Sequence, residues 1–172
     1  GGENGYDRLP AAEEVALSKK PAYVHVTSNE TIQGVQWQAL PTFENIPLIC
    51  DSSSDFLSRP VDISSYGMLY ACAQKNAGIA GVTVAVIRRD LLERSQEELP
   101  AMLNYRTFVE KGSRPNTPPV FAVYILGLVC EWILKDVGGL EHIAARNAEK
   151  ASKVYDVIDS SEGFFRGHAC PA

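Results

Sequence analysis

Short apolar runs bounded by turn residues dominate the first half of the chain. Four of them, at residues 22–26, 47–50, 68–73 and 82–87, contain β-branched, aromatic or other apolar side chains. Runs of this length are typical of buried strands, so the pattern predicts a sheet that is covered on both faces. Residues 74–81 alone join the third and fourth runs, and a parallel crossover needs roughly a dozen residues. This pair is therefore antiparallel, or its strands are not neighbours.

The last third of the chain has the signals of two long helices. Asn116 and Thr117 precede Pro118 and Pro119, an order that favours a side-chain cap followed by a helix start. This first helix is predicted to end near residue 137, where two glycines follow. The second is predicted over residues 140–160, and the spacing of its apolar side chains indicates one buried face. Those side chains are Leu140, Ile143, Ala144, Ala148, Ala151, Val154, Tyr155 and Ile158.

A shorter helix is predicted after the fourth strand, with Asp90 as its cap and an end near residue 98, because Pro100 follows. With its strands early and its helices late, the chain has the pattern of an α/β fold. The longest apolar stretch, residues 120–134, contains Glu131. It is shorter than the roughly 20 residues that span a bilayer, so it predicts a buried helix and no membrane segment.

Composition narrows the class of partner. The 172 residues are 45% apolar and 22% charged, which excludes a disordered chain. A net charge of -5 argues against nucleic-acid and anionic-membrane partners and favours a small-molecule or a protein partner. The four cysteines form no CxxC or Cys/His spacing, so no metal site is expected. The first 20 residues lack the apolar segment of a signal peptide, which favours a cytoplasmic setting.

Lys75 is the first candidate for chemistry. It follows an almost entirely apolar run, at the end of a predicted buried strand, where ligand sites of open α/β sheets concentrate. Partial desolvation there would leave a neutral amine that can attack a carbonyl carbon. The alternative is that Lys75 only begins a solvated turn, and position alone favours this alternative.

Asp51 is the second candidate, because it ends the preceding apolar strand and three serines follow it. A carboxylate in this place can hold a protonated ring nitrogen by a charge-assisted hydrogen bond. A pyridoxal phosphate site needs such an acid together with a lysine. Taken separately, an aspartate in this place is more often only a turn residue or a helix cap.

Two further segments have side chains that suit a ligand. Thr31 lies in the polar segment just after the first strand, and residues 29–31 also match a glycosylation sequon. The amides of the helix start near Asn116 and Thr117 would suit a phosphate, although a well-capped helix explains the same residues. His25, on the first strand, is interpreted as a hydrogen-bonded core residue.

These segments together resemble one family over about residues 23–165. The pieces SNETIQGV, CDSSSDFLSRPVD, YGMLYACAQKN and NTPPVFAVYILGLVCEWI are similar to those of the phosphoserine aminotransferases. The resemblance implies a fold-type-I aminotransferase that uses pyridoxal phosphate and works as a cytoplasmic homodimer in serine biosynthesis. The implied reaction moves an amino group between L-glutamate and 3-phosphohydroxypyruvate, giving 2-oxoglutarate and O-phospho-L-serine.

The resemblance also implies a role for each matching residue. Lys75 matches the catalytic lysine that holds the cofactor and shuttles a proton, and Asp51 matches the acid on the pyridine nitrogen. Thr31 matches the hydroxyl beside the phenolic oxygen, and Gln74 a phosphate contact. Asn116 and Thr117 match the pair that reaches the phosphate of the neighbouring subunit's cofactor.

The family's pattern extends beyond this chain at both ends. The resemblance assigns residues 1–137 to the carboxy-terminal part of the cofactor-binding large domain, which contains a mixed sheet. It assigns residues 138–172 to helices that lead into a small carboxy-terminal domain. A chain truncated in this way is expected to be inactive by itself. The competing hypothesis is a non-catalytic fragment or assembly module that retains relic cofactor motifs.

Overall fold

The chain forms six strands in a computed structural model that describes residues 5–170. They are β1 (Val24–Thr27), β2 (Asn29–Glu30), β3 (Val35–Gln36), β4 (Leu48–Asp51), β5 (Met68–Cys72) and β6 (Thr83–Ile87). The main sheet has the order β1-β4-β5-β6, while β2 and β3 form a separate antiparallel hairpin. Strands β1, β4 and β5 are parallel and β6 is antiparallel to β5. The four predicted strands and the antiparallel pair are therefore confirmed.

The core lies on one face of the main sheet. Val24, Leu48, Cys50 and Leu69 are buried there together with Tyr66, as expected for strands whose alternate side chains point to one side. Side chains from the loops between strands pack against this cluster; they are Leu40, Phe43, Ile46 and Phe56.

Gly67, in the loop just before β5, lies where there is no room for a side chain. A Cβ on Gly67 would lie 2.7 Å from Leu91 Cδ1 and 2.8 Å from Pro47 Cβ. Both contacts are shorter than carbon atoms allow, so a larger residue would push the loop away from the sheet.

The sheet is not covered on both faces in this chain, so that prediction is wrong. His25 on β1 is exposed, and Ile49 and Tyr70 are only partly buried. The core face is itself open at its β6 edge, where Val86, the register partner of Leu69, is 42% exposed. His25 is a hydrogen-bonded surface residue and not a core residue, because no described element packs over that part of β1.

Two short helices follow the sheet. They are α1 (Arg89–Glu93) and α2 (Tyr105–Glu110). The first ends earlier than the predicted residue 98, and Asp90 does not cap it. Its carboxylate instead accepts hydrogen bonds from Nε of Arg88, which occupies the N-cap position, at 2.5 Å and from Nη2 of Arg94, just after the helix, at 3.2 Å. The guanidinium groups therefore occupy the oxygens that a cap would direct to the backbone.

Two longer helices complete the chain. The first, α3 (Val120–Trp132), continues into a π-helical turn over Ile133–Val137, and α4 (Leu140–Asp159) follows. Gly138 has a left-handed φ of 91° and donates its N–H to the Ile133 carbonyl at 3.0 Å. The predicted stop is therefore confirmed, and it works because glycine adopts this conformation without strain.

The predicted cap of α3 is wrong. The cap position is Pro119, with no side-chain hydrogen bond, and the first backbone bond runs from Val123 N to the Pro119 carbonyl. Asn116 and Thr117 lie in the loop before it. The two prolines set the start of the helix, which leaves both polar side chains too far upstream to cap it.

The predicted buried face of α4 is also wrong over most of its length. Ile143 is the one buried residue of the helix, whereas Val154 and Tyr155 are 59% and 61% exposed. Asn147 ties the helix to the rest of the fold, because its Nδ2 donates to the Ser58 carbonyl at 3.0 Å. None of the helices within residues 5–170 is both long and apolar enough to cross a membrane.

Candidate active site

Three connections meet where the parallel strands β1, β4 and β5 end. The hairpin of β2 and β3 follows β1, the serine-rich turn 51–55 follows β4, and the turn 73–77 follows β5. Parallel strands bring their carboxyl ends to the same edge of a sheet, so side chains from these three connections can share one site.

Lys75 lies in the turn after β5, and its amine points to the other two connections. Nζ donates hydrogen bonds to Thr31 Oγ1 at 2.6 Å and to Ser54 Oγ at 3.1 Å. The side chain is exposed in this chain, so the expected partial desolvation is not observed. Lys75 therefore begins a solvated turn and also makes specific contacts with Thr31 and Ser54.

Ser54 is a site residue that the sequence reasoning missed. Its Oγ contacts Thr31 Oγ1 and donates to the Asn29 carbonyl at 3.1 Å. The sequence signal was the run of three serines after Asp51. That run contains no indication of which hydroxyl turns toward Lys75, because the choice depends on how the turn is folded.

Asp51 ends β4 at this same edge. Its Oδ1 accepts the backbone N–H of Ser53 at 2.9 Å, which fixes one carboxylate oxygen. On β5 the residue paired with Asp51 is Tyr70, whose phenol bonds His25 Nε2 at 3.0 Å across the middle strand. Burial raises the pKa of Tyr70, and the negative charge of Asp51 raises that pKa further. The carboxylate of Asp51 is therefore electrostatically coupled to its neighbour on the sheet.

Asp55 fastens the hairpin to the serine-rich turn. Its Oδ1 accepts a hydrogen bond from Ser28 Oγ at 2.5 Å, and its Oδ2 accepts one from Gln36 Nε2 at 3.1 Å. Ser28 is buried, with 4% of its surface exposed. One carboxylate oxygen thus binds the residue just before the hairpin and the other binds a residue of β3, which places Thr31 beside Ser54. Sequence reasoning did not single out Asp55, because its partners lie far from it along the chain.

The remaining predicted site residues are not hydrogen-bonded to the Lys75 amine within residues 5–170. Gln74 is exposed beside Lys75 in the same turn. Asn116 Nδ2 donates to the Thr117 carbonyl at 3.2 Å, and both residues are exposed. Among residues 5–170 no hydrogen bond joins Asn116 or Thr117 to Lys75, so their implied role at a second subunit's site stays a prediction. In that same part of the chain, no group of three or more potential metal ligands occurs.

Comparisons with known proteins agree over nearly the whole chain. The model of the aminotransferase class-V family matches residues 3–169. The phosphoserine aminotransferase of Rhodopirellula baltica is 49% identical over 168 residues, which are 97% of this chain and 45% of that protein. The phosphoserine aminotransferase of Lysinibacillus sphaericus is 47% identical over 98% of this chain and 46% of its own length.

Solved structures give the same result. The phosphoserine aminotransferase of Bacillus circulans subsp. alkalophilus has a TM-score of 0.91 and 48% identity, over 96% of this chain and 46% of that one. The PLP-bound phosphoserine aminotransferase of Trichomonas vaginalis has a TM-score of 0.89 and 42% identity, over 96% and 45% of the two chains. The chain thus has the fold of these enzymes and spans somewhat under half of their length.

Proposed function

Since this chain belongs to the class-V aminotransferase family, we propose that the protein containing it is a pyridoxal-phosphate-dependent phosphoserine transaminase. It transfers the amino group of L-glutamate to 3-phosphohydroxypyruvate and releases 2-oxoglutarate and O-phospho-L-serine. The relatives named above, at 42–49% identity, support this assignment, because each of them is a phosphoserine aminotransferase.

The donor set of the site fits this cofactor. A pyridoxal phosphate site needs an amine for the aldehyde and an acid for the pyridine nitrogen. Asp51 ends β4, Lys75 lies in the turn after the neighbouring parallel strand β5, and Thr31 adds a hydroxyl 2.6 Å from the amine. The observation that carries the proposal is this convergence of Lys75, Thr31 and Asp51 at one edge of the sheet.

Each residue of the site has a role in this proposal that follows from the chemistry of its side chain. When bound, the cofactor supplies an electron sink for the carbanion formed at the substrate's Cα. Asp51 accepts a charge-assisted hydrogen bond from the pyridine nitrogen and keeps it protonated. Lys75 would hold the cofactor through its aldehyde carbon, and its amine would shuttle a proton between the substrate's Cα and that same cofactor carbon. Thr31 orients the ring through the phenolic oxygen.

The phosphate contacts come from two places in this proposal. Gln74, beside Lys75, binds the phosphate within one subunit. Asn116 and Thr117 bind it from the second subunit of a homodimer, which would explain why these exposed side chains have no hydrogen bond to Lys75 within residues 5–170. We assign residues 1–137 to the large domain and 138–172 to the start of the small domain, with the boundary at the helix stop of Gly138. A cytoplasmic location accords with biosynthetic chemistry on small acids.

A second candidate is a non-catalytic assembly module that retains relic motifs. The observation that favours it is the exposure of apolar side chains on α3, where Val120 and Phe121 are 66% and 67% exposed. Such a face suits association with another surface. In the transaminase proposal the same face is covered by the rest of the enzyme, whose known relatives are about twice as long as this chain.

Cofactor capture separates the two candidates. The whole protein that contains this chain is purified, mixed with pyridoxal phosphate and reduced with borohydride, and the modified peptide is identified by mass spectrometry. We expect a yellow protein before reduction and one reduced cofactor on Lys75 after it. A colourless protein, or label on other lysines only, would leave the assembly module as the better explanation.

A further inference from the structure

The hydroxyl of Ser54 has a fixed direction. A carbonyl oxygen only accepts hydrogen bonds, so the single proton of Ser54 Oγ is donated to the Asn29 carbonyl 3.1 Å away. Toward its other two neighbours Ser54 can only present lone pairs. The contact between Thr31 and Ser54 therefore has Thr31 as donor. One chain of hydrogen bonds runs from Thr31 through Ser54 to the backbone of the hairpin.

This direction determines how the amine of Lys75 is held. Both hydroxyl oxygens have a lone pair available to it, and Nζ lies 2.6 Å from Thr31 and 3.1 Å from Ser54. A neutral amine has two N–H bonds and one lone pair. If both N–H bonds are directed to the hydroxyls, the lone pair is directed away from them, and the side chain that carries it is exposed.

We propose that Ser54 is a positioning residue of the active site, which orients the amine of Lys75 so that its lone pair faces the incoming carbonyl carbon. The proposal rests on the transaminase function given above. In the step concerned, the amine nitrogen forms a C=N bond with the aldehyde carbon. The aldehyde oxygen leaves as one water with the two amine hydrogens, and nothing is oxidised or reduced.

Orientation of this kind acts on rate more than on binding. Without the Ser54 oxygen, the long lysine side chain keeps one acceptor and samples more orientations, so fewer encounters are productive. The substrate itself does not contact Ser54 in this proposal. Loss of the hydroxyl should therefore lower the rate of cofactor capture and kcat, and leave KM for the amino donor nearly unchanged.

The test uses the cofactor-free whole protein and pyridoxal phosphate as the probe. Formation of the C=N chromophore is followed by stopped-flow absorbance in wild type, Ser54→Ala and Ser54→Thr, and steady-state kcat and KM for L-glutamate are measured on the reloaded enzymes. For Ser54→Ala we expect capture and kcat to fall about tenfold, with KM within about twofold of wild type. Ser54→Thr retains the hydroxyl and should stay within about twofold of wild type in all three values.

A matched control separates orientation from simple loosening of the hairpin. Gln36→Leu removes the bond between Gln36 and Asp55, which also holds the hairpin, without touching Lys75. We expect it to slow capture by less than about threefold. An equal loss in Gln36→Leu and Ser54→Ala, or wild-type capture by Ser54→Ala, would overturn the assignment of Ser54.

Two further outcomes are decisive. If Ser54→Ala does not fold, Ser54→Cys keeps the shape of the side chain with a much weaker acceptor, and wild-type capture by that variant would refute the assignment. If the wild-type protein captures no pyridoxal phosphate on Lys75, the transaminase proposal itself fails. That result differs from slow or fast capture in the Ser54 variants, so the two failures are distinguishable.

Discussion

The loops around Lys75 and the two long helices of the chain differ in where their side chains find partners. In the loops, Ser28, Ser54 and Asp55 bind one another's segments through hydrogen bonds that close within the chain. On the helices, Phe121 and Leu134 are 67% and 71% exposed. The polar region is thus internally satisfied, whereas the apolar region is not.

The difference follows from what hydrogen bonds and apolar contacts each need in order to be satisfied. A hydrogen bond is satisfied by one partner at the right distance, which a neighbouring loop can supply. An apolar face is stabilised only in proportion to the area that another surface removes from water. The site connections can therefore fold into their arrangement within this chain. We expect the helices to reach their final stability only when another surface covers them.

The largest effect should come from removing the amine of Lys75 from the polar region. Lys75→Ala in the whole protein removes the only amine that the proposal assigns to the reaction, so we expect transamination to fall by at least about 1,000-fold. The measurement is 2-oxoglutarate formation from L-glutamate. Lys150→Ala, on the exposed surface of α4, is the matched control and should keep full activity. Retained turnover in Lys75→Ala would contradict the assignment.

The next effect contrasts a buried with an exposed apolar residue. Leu69 is 2% exposed, and Leu69→Ala should lower the free energy of unfolding of this chain by about 2–5 kcal/mol. Phe121→Ala should change it by less than about 0.5 kcal/mol, because the ring already lies in water. Urea unfolding provides both values.

The same two variants, made in the longer protein, test whether α3 is covered there. There we expect Phe121→Ala to cost more than about 1 kcal/mol, since a covered face loses burial when the ring is removed. An unchanged stability in both proteins would show that α3 stays exposed in the longer protein.

A smaller effect is expected from weakening the hydrogen bonds by which Asp55 holds the hairpin. In Asp55→Asn one carboxylate oxygen becomes an amide nitrogen that cannot accept from Gln36. We expect a loss of about 1–2 kcal/mol in the free energy of unfolding. Asp156→Asn on the exposed surface of α4 should change it by less than about 0.5 kcal/mol. Thermal unfolding of the two variants side by side tests this, and equal midpoints would count against a structural role for Asp55.

Local signals in the sequence were sufficient for most of the fold. The four main strands and the stop at Gly138 were predictable, because short apolar runs and paired glycines act within a few residues. The antiparallel pair was predictable from the length of one connection. The start of α3 was not, because two prolines and two capping residues compete there and the prolines determine the outcome.

Three residues of the candidate site could be identified from the sequence, whereas two others could not. Lys75, Thr31 and Asp51 were identified in advance, and the structure brings Lys75 and Thr31 into contact. Ser54 and Asp55 were not singled out, since the sequence contains three adjacent serines with equal local signals. Their roles depend on contacts with residues more than twenty positions away in the chain, such as Asn29 and Ser28.

By itself, the sequence determined which segments become strands and helices, and which side chains can supply an amine, an acid and a hydroxyl. It could do so because these properties belong to single residues and their near neighbours. The tertiary structure decided which serine faces Lys75 and that the face of α4 around Tyr155 stays open. Within residues 5–170 it also left Asn116 without a hydrogen bond to the amine. Those outcomes depend on how distant segments are placed in space, and a linear pattern does not contain that placement.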